Sequence, residues 1–294
     1  MIGEKKKLSS RVFDTFNIII MLLLCVAMVY PMLYELFISL SEAKKLFGYA
    51  GFVYGPIGFT WNNYTMVFAN EQILSGFKNT LFLLVVGIPL NLIMTCLAAY
   101  FLSRHGMKLR KPFVTMMLIT MYFSGGLIPC YINISELGLI DSLWVLILPG
   151  VLSTSNALVL SSFFRTIPES IVESVEIDGG GHVRVLFQFF VPLSTAAMAV
   201  MVLYYGVSHW NGWFSAKIYL RDAKKFPLQL VLQMMLTEVA NNEALGISTD
   251  PYYEQLSETV KAATTIVVTL PILCIYPLLQ KYFVKGVMLG SLKE

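Results

Sequence analysis

Apolar runs separated by short polar stretches set the layout of this chain. Six of them, at 16–40, 77–103, 112–134, 144–164, 183–209 and 259–279, reach or approach the ~20 residues that cross a bilayer's hydrocarbon as a helix. The pattern predicts an all-α membrane protein with six transmembrane helices. An outer segment at 41–71 is too broken by Gly48, Gly51, Gly55, Pro56 and Gly58 to span, and a longer outer loop occupies 211–258. Within that loop 226–239 reads as a helix with Leu228, Val231, Leu232, Met235 and Leu236 on one side, either docking on a partner or packing on the chain's own spans. Pro89 and Asn91 interrupt the second run and are tolerable only where neighbouring helices or water satisfy the freed polar groups. The stretch from Tyr122 to Pro129, with Ser124, Gly125 and Gly126, predicts close helix packing or a broken helix lining a cavity.

A polar island from Thr166 to Pro192 separates the fourth and fifth runs. Thr166 and Glu169 have capping-box spacing, with Pro168 in the first helical turn. Ile171, Val172 and Val175 then fall on one face of a short helix, and Glu169, Glu173 and Glu176 on another. Gly179, Gly180 and Gly181 end that helix, and a second helical pattern starts near His182. The product is a helix, a sharp bend and a helix.

Composition agrees with the pattern. The chain is 56% hydrophobic and 13% charged, with a mean hydropathy of +0.69; a soluble chain carries about 25% charged residues. The net charge of +3 is spread over loops, so it bears on topology and not on nucleic acid. Six spans put both termini on one side. Lys5, Lys6, Lys7 and Arg11, the turn with Arg104, Lys108, Arg110 and Lys111, and the basic tail place that side in the cytoplasm. The N-terminus reads as a cytoplasmic anchor and not as a cleaved signal peptide. Cys25, Cys96, Cys130 and Cys274 all sit in apolar runs without metal-ligand spacing, and His105, His182 and His209 are isolated. No phosphate-binding Gly-x-x-x-x-Gly-Lys-Ser/Thr, Gly-x-Ser-x-Gly or His-Glu-x-x-His occurs. The sequence therefore predicts no catalytic residues, no metal and no cofactor bound by this chain.

The island resembles the coupling loop of ABC importer permeases, the EAA loop. Glu173-Ser174-Val175, then Ile177-Asp178-Gly179-Gly180, then Val191-Pro192 follow the family's order and spacing, with Ser and Val in place of its two alanines. Further strings resemble the smaller permease of carbohydrate importers: Pro56 to Tyr64, Leu97 to Arg104, Tyr122 to Pro129, Leu137 to Asp141, His209-Trp210-Asn211, Pro227 to Leu230 and Lys281 to Gly286. Within that family the likeness is to the branch handling complex oligosaccharides, alginate-type importers included. Asn63-Tyr64-Thr65 also fits a glycosylation sequon, which in a bacterial permease is a chance match.

The resemblance implies a type I ABC importer transmembrane domain in the bacterial inner membrane. It divides into a cytoplasmic N-terminus at 1–15, a first helix at 16–40, the outer segment, a core at 72–281 with its coupling loop at 165–182, and a cytoplasmic tail at 282–294. It implies as partners a second homologous permease, a dimer of ATP-binding subunits holding ATP and magnesium, an outer solute-binding protein, membrane lipid and an oligosaccharide. Glu169, Ile171, Val172, Glu173, Val175, Asp178, Gly179 and Gly180 are then the residues that couple to the ATPase, with Asp178 capping the bend and Glu173 pairing with a base.

A sugar path needs aromatic faces beside hydrogen-bonding groups. Tyr122, Ser124, Ser153, Asn156, Tyr204, Trp210 and Asn211 are the candidates, with Tyr204 and Ser208 on one helical face and Tyr205 pointing elsewhere. Three other readings compete, one of them a membrane enzyme, for which no nucleophile and base pair stands at membrane depth. An ion-coupled secondary transporter calls for an acid or base at membrane depth, and only Glu35, near the end of a run, comes close. A structural membrane scaffold fits the composition but leaves the coupling loop unexplained.

Overall fold

The structure, a computed structural model, describes residues 8–46, 49, 51–104, 109–245, 257–275 and 277. The expected basic run Lys5–Lys7, Lys108 of the basic turn, 246–256 of the outer loop, and the tail with the end of the last expected span lie outside the described residues. Twelve helices matter here. In chain order they are α1 (Leu8–Ser39), α2 (Asn62–Ala69), α3 (Glu71–Ser103), α4 (Arg110–Tyr122), α5 (Leu127–Glu136) and α6 (Thr154–Phe164), followed by α7 (Glu169–Ile177), α8 (His182–Leu193), α9 (Thr195–Trp210), α10 (Phe214–Tyr219), α11 (Leu228–Leu245) and α12 (Ser257–Ile275).

Among the described residues three helices, α1, α3 and α12, are long and apolar enough to cross a membrane. The pairs α4–α5 and α8–α9 bring the number to five when each is taken as one bent span, at 114° and 88° respectively. The expected fourth span is different. A 3-10 turn at Leu143–Leu146, an irregular stretch through Pro149, Gly150 and Val151, and the eleven-residue α6 replace a single helix over 144–164. Ser153 causes the restart: its hydroxyl accepts from the Asn156 N–H at 3.4 Å as the cap of α6.

Two proline-bearing helices, α3 and α8, solve the same local problem in the same way. A proline ring collides with the carbonyl four residues earlier and offers no N–H. In α3 a π-helical turn at Leu83–Gly87 precedes Pro89, and across α8 another at Leu186–Phe190 precedes Pro192. The wider turn relieves the clash, so the helix continues.

The chain divides into two compact units, 1–70 with 235–269 and 71–234 with 270–294. The first is tied by Asn63, 2% exposed. Its amide donates to the Ser39 and Ser41 carbonyls, each at 2.9 Å, and its oxygen accepts from Thr259 Oγ1 at 3.2 Å. The sequon asparagine is thus a buried fastener at the end of α1, unavailable to modification. The second unit holds both parts of the functional site. There Leu228, Leu230, Val231 and Leu232 of α11 are buried, with the backbone of Leu228 seated against Gly76 of α3 and its N–H on Thr80 Oγ1 at 2.9 Å. Packing within the chain therefore occupies the first turns of the apolar side of α11, while Met235 and Leu236 are only half-buried.

Candidate functional site

Helix α7 opens directly after Pro168. The expected capping box does not form, because Thr166 Oγ1 donates back to the Phe163 carbonyl at 2.8 Å. Glu169 reaches instead to Arg104 at the end of α3, at 3.3 Å. Val172 and Val175 are buried with Cys96, Tyr100, Phe164, Phe190 and Met201 in one apolar cluster, and Ile171 is half-buried beside them. Burial of each valine is worth about 1.5–3 kcal/mol, which fastens α7 to the helices behind it as a rigid piece.

The bend is closed by backbone. Gly180 N–H donates to the Val175 carbonyl at 2.8 Å and Gly179 N–H to the Glu176 carbonyl at 3.0 Å, with Gly179 at φ +77°. That pair is the glycine-ended helix stop in which left-handed geometry satisfies the last carbonyls. Asp178 was expected to cap the bend, but its carboxylate has no partner among the described residues, and neither does that of Glu173. Both point to solvent, as does Ile177 at 85% exposure. Ile177 thus lies exposed beside the unpartnered carboxylate of Asp178.

The second feature is a cavity of about 760 Å³ between α5, α9, α10 and the irregular stretch before α6. Its polar lining includes Asn133, Ser153, Asn156, Tyr204, Ser208 and Ser215. No Lys, Arg, Asp or Glu lines it among the described residues. The side-chain amide of Asn156 has no partner there, so it is available to a guest. Of the expected path residues, the cavity gathers Ser153, Asn156 and Tyr204 and leaves out Tyr122, Ser124, Trp210 and Asn211. Trp210 is buried on an apolar side of α9 with Leu84 and Val207, and Asn211 caps the end of that helix. Tyr122 and Ser124 lie at the α4–α5 break, where a Cβ on Gly125 or Gly126 would meet at most Pro129 at 3.9 Å. Close packing is therefore not what those glycines serve; they break the helix.

A polar network that the sequence reading missed forms part of the cavity wall, with Tyr205 and His209 among the lining residues. Asn91 Nδ2 donates to the Gly150 and Val151 carbonyls, both at 2.9 Å, and Asn91 Oδ1 faces His209 Nε2 at 2.8 Å. Since the Asn91 oxygen can only accept, His209 Nε2 carries a proton. Tyr205, expected to point away, is buried with its hydroxyl 2.6 Å from Thr95 Oγ1 and accepting from the Ser153 N–H at 3.2 Å. The only sequence signal for this network was the polar residue Asn91 in an apolar run next to Pro89. Gly87 completes it by close approach: a Cβ there would lie 2.7 Å from His209 Nε2.

No protein-family model matches the chain. It is similar over its length to two proteins of Bacillus subtilis (strain 168). One is the polygalacturonan/rhamnogalacturonan transport system permease protein YtcP, 32% identical over 97% of this chain and 100% of that protein. The other is protein LplC, 34% identical over 97% of this chain and 96% of that protein. This chain belongs to the permease subunits of bacterial ABC sugar importers. In fold the permease superposes on a chain of a crystallised bacterial ABC transporter involved in import of the acidic polysaccharide alginate, with a TM-score of 0.86, 27% identity, and coverage of 96% of this chain and 100% of that one.

One more contact shapes the permease beside its cavity. Asp141, at φ 57°, receives Lys225 Nζ at 2.8 Å on Oδ2 and the N–H groups of Arg221 and Asp222 at 3.0 Å on Oδ1, while its own N–H donates to the Tyr219 carbonyl at 2.9 Å. The Lys225 hydrogen bond first, then the two backbone donors, hold its carboxyl far below the ordinary range.

Two outcomes are expected. A depressed folded pKa means the clasp's contribution is complete above the unfolded value of about 4 and is lost as pH falls through the lower folded value. Asp141→Asn, which keeps a residue tolerant of positive φ, should therefore lower thermal stability by an amount constant from pH 8 to pH 5, with the gap to wild type closing only below about pH 4. Gly87→Ala should push the His209 ring off Asn91 and cost about 1–3 kcal/mol, read as a lower melting temperature in detergent. In the double variant Gly87→Ala/His209→Ala the clash is gone, so it should be no less stable than His209→Ala.

Proposed function

We propose that this permease conducts acidic oligosaccharides of uronate type by alternating access, powered by a separate ATP-hydrolysing subunit that grips α7. The observation that carries the reading is the pairing of an exposed, carboxylate-flanked bend at Ile177–Gly179 with a neutral, hydroxyl- and amide-lined cavity, both built on one set of helices. Met201 of α9 is buried in the same apolar cluster as Val172 and Val175 of α7, and Tyr204 and Ser208 of the same α9 line the cavity. A push on α7 thus reaches a helix of the cavity wall through that shared cluster. The names of the relative that transports polygalacturonan/rhamnogalacturonan and of the alginate importer support an acidic sugar.

In this reading Glu169 anchors α7 through Arg104, Ile171, Val172 and Val175 form its inner face, Gly179 and Gly180 form the bend, and Glu173, Ile177 and Asp178 face the ATPase. Asn156, Tyr204 and Ser153 lie along the sugar path. ATP and magnesium stay with the ATPase dimer. The loop at 165–182 and both termini are cytoplasmic, 211–258 is outside, and a second permease and an outer binding protein complete the assembly. The basic turn around Arg104, Arg110 and Lys111 supports that orientation.

The path is tested through Cys130, an exposed thiol that lines the cavity, in a background with Cys25 and Cys274 replaced by Ala. A bulky maleimide on Cys130 should stop uptake into liposomes carrying the whole importer while ATP hydrolysis continues. Full uptake by quantitatively labelled protein would remove the cavity from the path. For the bend, Gly179→Pro imposes φ near −65° where the backbone needs +77°. It should cut ATP-driven uptake by about tenfold or more while the ATPase still turns over. Gly179→Asn, which accepts the left-handed region, should stay coupled; equal coupling in all three proteins would sink the lever assignment.

A further inference from the structure

The cavity wall is neutral, so an acidic sugar that enters it must find its counter-charge at the edge. Tyr219 of α10 lines the cavity and stacks on Tyr131 of α5, rings 5.9 Å apart and 13° from parallel. Tyr131 follows Cys130, which also lines the cavity. Arg221 Nη2 donates to the Tyr131 hydroxyl at 3.4 Å, a long contact and the guanidinium's only hydrogen bond among the described residues. A guanidinium offers five N–H donors in a planar fork. Most of that fork therefore remains free, on an exposed residue beside the cavity rim.

One neighbouring cation is already spent, while the ammonium groups of Lys217 and Lys224 stay exposed as point charges without a planar fork. Lys225 is held by Asp141 at 2.8 Å, and Asp222 turns back to accept from the Lys224 N–H at 2.9 Å. Asp141 also grips the Arg221 backbone N–H at 3.0 Å, so the base of the arginine is fixed while its tip is not neutralised. A backbone held in place and a forked cation without a carboxylate make a receptor for an anion arriving from solution.

We propose that Arg221 is a specificity-determining residue of this permease, taking one carboxylate of an acidic oligosaccharide at the mouth of the cavity and handing the sugar to the neutral wall beyond. The proposal rests on the acidic-oligosaccharide reading above and names the residue that reads the charge. A neutral interior then serves the same end, since a second cation deeper in would hold the anion and slow its exit.

The test is uptake by the complete importer in liposomes. The probes are a uronate tetrasaccharide and the same tetrasaccharide with its carboxyls reduced to alcohols. Arg221→Gln should raise the half-saturating concentration of the acidic probe roughly tenfold, with the maximal rate nearly unchanged. Arg221→Lys should recover part of that loss. Lys217→Gln, on the other side of α10 from Ser215 and Tyr219, should behave as wild type. An Arg221→Gln importer with wild-type saturation by the acidic probe would overturn the assignment, as would an equal defect in Lys217→Gln. Affinity of the sugar-free binding protein for the assembled importer is measured alongside. If Arg221→Gln weakens that docking, the arginine meets an acidic protein surface and the sugar assignment fails. Wild-type import of the reduced probe with none of the acidic one would overturn the substrate reading itself, whatever Arg221 does.

Discussion

Irregular backbone inside a membrane needs partners for its carbonyls, because lipid offers none. Asn91 supplies two at once: one side-chain amide binds the Gly150 and Val151 carbonyls from a neighbouring helix, and its oxygen binds His209. Without it, the break ahead of α6 would leave polar groups bare in apolar surroundings. That break exposes Ser153 and Asn156 to the cavity, and Tyr205 steadies it from below through the Ser153 N–H. The cavity therefore exists because a hydrogen-bond network makes a non-helical stretch tolerable. Gly87 has no side chain because His209 occupies the space one would need.

The same economy runs through the moving parts expected of an importer. Two π-turns carry the helix through Pro89 and Pro192, one beside the cavity and one beside the coupling bend. Helix α7 is held to α8 and α9 by close apolar packing and an edge-on ring cluster, with Phe190 lying 5.2 Å from Tyr100 and 5.3 Å from Phe164. Densely packed interiors pass on displacement because they have little room to absorb it. The bend itself is backbone-closed and carries its carboxylates outward, so the surface left for an ATPase is separate from the contacts that hold the loop's shape.

Charge is distributed on a matching plan. The cavity wall is uncharged among the described residues, and the cations beside it are gathered between Lys217 and Lys225, where Asp141 pins one and orders the backbone of another. A neutral wall with cations at its edge is the arrangement on which the proposed entry of an acidic sugar rests.

Much of this was legible in the sequence. The apolar runs determined a helical membrane protein, because only a helix satisfies its own backbone in lipid. The Glu-to-Pro spacing after Thr166 determined the helix–bend–helix, since a glycine pair ends a helix through local geometry alone. What the tertiary structure decided is whatever depends on partners distant in the chain. Nothing near residue 150 says that Asn91 and Tyr205 hold it open. Nothing near Arg104 says that it draws Glu169 away from a local cap. Whether Gly125 and Gly126 pack or break, and whether α11 is covered, turns on which atoms lie across the gap, and periodicity carries no record of those. Local spacing fixes local conformation; the side a polar side chain serves is fixed only when the helices meet.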